Sequence, residues 1–159
     1  MYHRPLLPSG LRPPETWGGD CWQARPLCLA DAEADYEAVI ASADRLRGSM
    51  DPESTWPDGL TLDENRVDLG WHEREFTLGH SYAWTVVTGT RVLGCCYLYP
   101  ADRMGPDAMA FWWVRSGHEA LDTPLGQAFR AMIVGLAISF CFPGRDESWT
   151  EWLSRQRRS

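Results

Sequence analysis

The chain has 159 residues, 44% of them hydrophobic and 23% charged, a balance that fits one soluble globular domain with a real core. Its net charge of −7 argues against general nucleic-acid binding, which needs a basic face. All fifteen basic residues are arginine, so Schiff-base chemistry, lysine nucleophiles and the phosphate-loop lysine are excluded.

Residues 1–21 are rich in proline and glycine and read as an extended arm ahead of a single domain over 22–159. The opening "MYHRPLLPSGLRPP" has no apolar core of a signal peptide, and no stretch approaches a membrane span, so the expected location is the cytoplasm, with no membrane partner. "CWQARPLCL" alternates and predicts a first strand over Trp22–Cys28. Asp31 is placed to cap a helix whose apolar face carries Ala32, Tyr36, Val39 and Ile40. The paired carboxylates of "DAEADYE" read as the solvated side of that helix.

Residues 44–60 form an irregular segment suited to bordering a pocket. Thr61 or Asp63 caps the next helix, in which Leu62, Leu69 and Phe76 recur at heptad spacing and which Gly79 ends. "SYAWTVV", "TGT" and "RVLGCCYLY" make a β-hairpin, with Gly94 marking a bulge. "AMAFWWVR" is a third long strand. A helix follows from Thr123, capped by Asp122, with a stripe of Leu125, Phe129, Met132, Ile133 and Leu136. "ISFCF" is a short strand, and "DESWTEWLSRQRRS" predicts a short helix with Trp149, Trp152 and Leu153 on its apolar side. The order gives an α+β fold, a mixed and mostly antiparallel sheet flanked by helices.

Five cysteines without a C-x-x-C pair, and four histidines without metal-site spacing, predict free thiols and no metal. No Gly-x-Ser-x-Gly turn exists, so serine-hydrolase chemistry is not expected. Trp112 and Trp113 are adjacent on a strand and must point to opposite faces. Core packing is the default for most of the nine tryptophans.

The stretches "ARPLCLADAEADYEAVIAS", "LTLDENRVDLGWHEREFTLGHSYAWTVV" and "TRVLGCCYLYPAD", with "AMAFWWVR" after them, resemble the GNAT (GCN5-related N-acetyltransferase) superfamily in its bacterial acetyltransferase-like branch. The resemblance covers Trp22 to Gly144. It implies acyl transfer from acetyl-CoA to a small-molecule amine. The sheet would splay beyond "AMAFWWVR", and the pantetheine arm would lie along that strand like an added one. Backbone N–H groups at Trp113, Val114 and Arg115 would then polarise the thioester carbonyl. Ser139 to Phe142 would form the facing strand. Tyr97, Tyr99 and Trp112 would line the acceptor side, with Tyr82 and Trp84 as further candidates.

The resemblance breaks at the family's diphosphate signature, an Arg or Gln, two residues, Gly, one residue, and Gly or Ala. "VRSGHEALDTPLGQ" holds Gly117 and Gly126 at other spacings. Asp122 and Glu119 bring negative charge, and Pro124 removes an amide, so this loop predicts a poor phosphate cradle, with Arg115 and His118 in partial compensation. Only fifteen residues follow Gly144, with none of the tyrosine that often protonates the leaving thiolate in the family. A homodimer partner would complete the sheet, or Trp149 and Trp152 would cover the core. Two functions follow. The first is an N-acyltransferase in which His118, or a water held by Glu119 or Glu73, takes the amine proton, His72 beside Glu73 being a further candidate. The second is a repurposed small-ligand-binding or dimerisation protein that has lost tight CoA binding.

Overall fold

The computed structural model describes residues 4–159. Its strands are β1 (Trp17–Gly18), β2 (Gln23–Pro26), β3 (Tyr82–Thr88), β4 (Arg91–Pro100), β5 (Ala108–Val114) and β6 (Phe140–Cys141), and they lie in one sheet in that order. Every pairing is antiparallel except β5 with β6. The helices are α1 (Ala32–Ala41), α2 (Ala43–Leu46), α3 (Leu62–Leu78), α4 (Asp122–Val134) and α5 (Trp149–Ser154).

The β3–β4 hairpin forms the middle of the sheet, as its β-branched and aromatic residues require. Its register shifts at Val86/Val87, where Val86 faces Gly94 and Val87 faces Val92, leaving Leu93 as the extra residue beside Gly94. On the other side of β4, a Cβ on Gly94 would lie 2.2 Å from the Trp113 carbonyl oxygen. Gly94→Ala is therefore expected to lose about 2 kcal/mol or more in a denaturant titration, because backbone rather than a flexible side chain must move.

Alternation divides the sheet into two faces. Trp84, Val86, Cys96, Leu98, Ala110, Trp112 and Val114 pack with Leu125, Phe129 and Ile133 of α4. Ala83, Cys95, Tyr97, Phe111 and Trp113 pack with Ala38 and Val39 of α1 and Leu69 of α3. Thr61 caps α3 by accepting the Glu64 N–H at 3.1 Å, and Gly79 ends it in the left-handed conformation at φ 75°.

The N-terminal segment is bound to this framework. The Leu6 N–H donates to the Gly79 carbonyl at 2.9 Å, and Arg12 donates to that of Phe76 at 3.2 Å. Trp17 stacks on Phe129 with ring centroids 5.6 Å apart. At the other end, Trp152 of α5 is buried beside Ala101 and Cys141, and its indole donates to Asp102 at 3.2 Å. Trp149 stacks on Phe111 at 6.0 Å. These tryptophans cover the sheet beside β6 from within the chain.

The feature that positions the site is the β5–β6 pair. It holds together only at Ala108 with Phe140 and Met109 with Cys141. Beyond Met109 the two segments part, while β5 runs on to Val114. The Arg115 N–H donates to the Leu93 carbonyl at 2.7 Å, so by antiparallel alternation the polar groups of Phe111 and Trp113 also face β4. Those of Ala110, Trp112 and Val114 face the gap.

Candidate functional site: a parted strand pair and an aromatic–carboxylate cleft

Ala110, Phe111 and Trp112 on one side and Pro143, Gly144, Arg145 and Trp149 on the other line a cavity of about 300 Å³ in the gap, together with Ser49 and Met50. An extended arm can pair there with the open edge of β5, as an added strand would. Arg145 lies across this edge. It donates to both carboxylate oxygens of Asp122, at 3.1 and 3.0 Å, and to the Trp112 carbonyl at 3.2 Å. Its guanidinium carbon sits 3.5 Å from the Trp112 ring centroid, a stacked cation–π contact. The Trp112 indole also donates to Asp122 at 3.0 Å. Burial works against the Asp122 charge, but the Arg145 and Trp112 hydrogen bonds outweigh it and hold the carboxyl below its usual range.

Asp122 is thus the first residue of α4 and not its cap. A 3-10 turn over Glu119–Leu121 runs straight into the helix, leaving no break for a capping side chain. The loop ahead of it is internally satisfied. The Gly117 N–H donates to both Glu119 oxygens at 3.0 and 3.1 Å, and the Ser116 N–H donates to the Ser42 hydroxyl at 2.9 Å. The His118 N–H donates to the Arg115 carbonyl at 3.0 Å. A diphosphate would have to displace these bonds and face Glu119 and Asp122. The open edge of β5 offers backbone groups to an extended arm, whereas the loop does not fit a diphosphate.

The other functional feature lies on the α1/α3 face. Asp35, Met50, Trp56, Asn65, Asp68, His72, Tyr97 and Tyr99 are among the residues lining a cleft of about 90 Å³. Asn65, Asp68 and His72 meet there because residues three and four apart share one side of α3. Burial pushes His72 down to about 4, leaving its ring neutral, 5.6 Å from Tyr97 and 6.3 Å from Tyr99 between centroids. Asp35 is only 3% exposed. Burial raises its carboxyl to about 6 against the hydrogen bond donated by Asn65 at 3.0 Å, and the charges of Asp31 and Asp68 add to the rise. A groove of about 360 Å³ shares Met50 and Tyr99 with this cleft, and Met50, Phe111 and Trp149 with the gap cavity. The cleft and the β5 edge are thereby joined along one face.

The residues expected from sequence fall in different places. Tyr97 and Tyr99 do border the cleft. Trp112 lies on the opposite face, where a Cβ on Gly126 of α4 would come within 2.4 Å of its ring. Trp84 is fully buried among Trp17, Phe76, Tyr82 and Phe129, so it is core and not pocket. Trp113 directs its indole to the Tyr97 hydroxyl at 3.0 Å. Val114 faces the gap, but its carbonyl accepts from Arg45 at 2.8 Å. Arg115 turns to the α1 side, paired through its two terminal guanidinium nitrogens with Glu37, so it does not reach a donor in the gap. Ser139 sits at the zipped end, with its N–H and hydroxyl both on Asp107 at 3.0 Å. Glu73 accepts the Leu29 N–H at 3.2 Å, and Glu119 is engaged with Gly117. His118 lies in the loop, its Nδ1 buried without a hydrogen-bond partner among the described residues.

Sequence reading missed Asp35, which it put on the wet side of α1. The usable signal was its spacing from Ala38 and Val39, three and four residues on, both fully buried. Among the described residues no helix is long and apolar enough to cross a membrane, and no group of three or more acidic, histidine or cysteine residues could hold a metal ion.

No family model and no curated protein matches the sequence. Solved structures do. One is RimL, a ribosomal L7/L12 alpha-N-protein acetyltransferase, at 15% identity and a TM-score of 0.59, over 75% of this chain and 62% of that one. RimL in complex with coenzyme A matches at 15% identity and a TM-score of 0.59, over 74% and 64%. An acetyltransferase from Salmonella typhimurium that modifies the N-terminal serine of ribosomal protein L7/L12 matches at 12% identity and a TM-score of 0.60, over 77% and 70%. The chain thus spans less than two thirds of the length of RimL. At such identities the likeness is one of architecture, and with the six-stranded sheet and its parted strands it shows that this chain has the GNAT acetyltransferase fold.

Proposed function

We propose that the protein is an acyl-CoA-dependent N-acyltransferase acting on a small-molecule amine. The observation that carries this reading is the parting of β5 from β6 beyond Met109, beside a groove that leads to the Asp35–Tyr99 cleft. A bound thioester would supply the acyl carbon; the remaining work falls to the chain's own groups. The gap-facing N–H groups of β5 are the donors suited to a developing oxyanion, with Val114 nearest the strand's end. The rings of Trp56, Tyr97 and Tyr99 and the carboxylates of Asp35 and Asp68 suit an ammonium. Asp35, titrating at about 6, is a base near neutral pH and takes the proton as the amine becomes nucleophilic. His118, Glu119 and Glu73 hold places less suited to that step, two of them being tied to backbone amides.

A second reading is favoured by the bond from Gly117 to Glu119 and by Arg145 across the β5 edge. It takes the protein as a ligand-binding or dimerising relative that no longer holds CoA. Calorimetric titration with acetyl-CoA, joined to a free-thiol assay with small amines, separates the two. Saturable binding with amine-dependent thiol release is the expected result. Absence of heat at millimolar acetyl-CoA would discard the transferase, and a dimer in sedimentation with no cofactor binding would support the second reading.

A further inference from the structure

Arg145 has the geometry of a ligand contact that is occupied from within. Its planar fork meets both oxygens of one carboxylate, an arrangement that suits phosphate equally well. It stands between the gap cavity and a second cavity of about 520 Å³ along the length of α4, where the other cation, Arg130, is paired with both oxygens of Asp146 at 3.0 and 2.7 Å. The Arg145 and Asp122 side chains are 37% and 32% exposed, so an anion can reach this pair from solvent. The loop amides that a diphosphate would otherwise use are bonded internally.

We propose that Arg145 is the phosphate contact of the acyl donor, and that Asp122 is the built-in anion it gives up when the donor binds. This rests on the acyl-donor reading above. The exchange has a second consequence. Arg145 also covers the Trp112 carbonyl, one of the gap-facing groups with which an extended arm would pair. Drawing the guanidinium onto a phosphate uncovers that carbonyl, so anchoring the charged end and opening the strand edge are one event. A phosphate-free arm lacks the anion that displaces Arg145 and binds less well for two reasons.

The test is calorimetric titration of the full chain and two variants with coenzyme A and with pantetheine, which lacks the phosphates. In the unsubstituted protein, coenzyme A is expected to bind at least about tenfold more tightly than pantetheine, a difference of about 1.4 kcal/mol. Arg145→Gln should bring coenzyme A down to the pantetheine affinity without weakening pantetheine itself. Asp122→Asn should tighten coenzyme A about tenfold, since Arg145 is freed while the amide oxygen can still accept from the Trp112 indole. That second variant reads the exchange even where the first fails to fold. Coenzyme A binding unchanged in both variants overturns the assignment and leaves the acyl-donor reading standing. No binding of either probe to any of the three proteins overturns both.

Discussion

Trp84→Ala is expected to cost about 3–5 kcal/mol of stability in a denaturant titration, enough to threaten folding of a domain this size. Trp84 is fully buried, with Phe76, Phe129 and Trp17 at centroid distances of 5.6, 5.9 and 6.1 Å. Those rings come from α3, α4 and β1, so the residue joins three parts of the chain to the central strand. Truncation leaves a cavity that three separately anchored elements cannot close. Trp84→Phe should cost much less, since the indole nitrogen has no hydrogen-bond partner to lose. Equal losses for the two variants would show that ring size is not what holds these elements together.

Asp35→Asn is expected to act in the opposite direction. The Asp35 carboxyl is raised from 3.8 to about 6 by burial, so the folded state holds a proton that the unfolded chain has released between those values. Stability therefore falls as pH rises through roughly 4 to 6, and by pH 7.5 the buried charge costs on the order of 3 kcal/mol. An asparagine keeps the shape and can accept from Asn65 without the charge. The variant should be about 2–3 kcal/mol more stable than the unsubstituted protein at pH 7.5, with the difference vanishing near pH 4. It should also lose amine-dependent thiol release if Asp35 is the base. Such a gain in stability paired with a loss of activity is the expected mark of a group retained for function. Lower stability of Asp35→Asn at pH 7.5 would mean that the carboxylate is compensated by partners other than Asn65.

The hairpin, α3 and α4 were legible in the residues for a common reason. Each is specified by neighbours in sequence: β-branched and aromatic runs about a glycine turn, a threonine cap and a left-handed glycine, an apolar stripe of helical period. The faces of Trp112 and Trp113 followed from strand alternation alone. The weakness of the loop after β5 as a phosphate cradle was also readable, since it depends on which residues stand there. Asp122 shows where local reading stopped. It has the chemistry of a helix cap, but an indole ten residues away and an arginine twenty-three residues away compete for its carboxylate.

The sequence by itself determined the α+β class, the order of the central elements, the poor fit of the loop after β5 to a phosphate and the aromatic character of Tyr97 and Tyr99. Only the tertiary structure decided that Asp35 is buried, that Arg115 turns to Glu37 and that Arg145 lies across the strand edge. Arg115 and Glu37 are seventy-eight positions apart. Local periodicity selects helix, strand and turn over a few residues, whereas the partner of a charge and the solvent it sees depend on which distant segments the fold brings beside it.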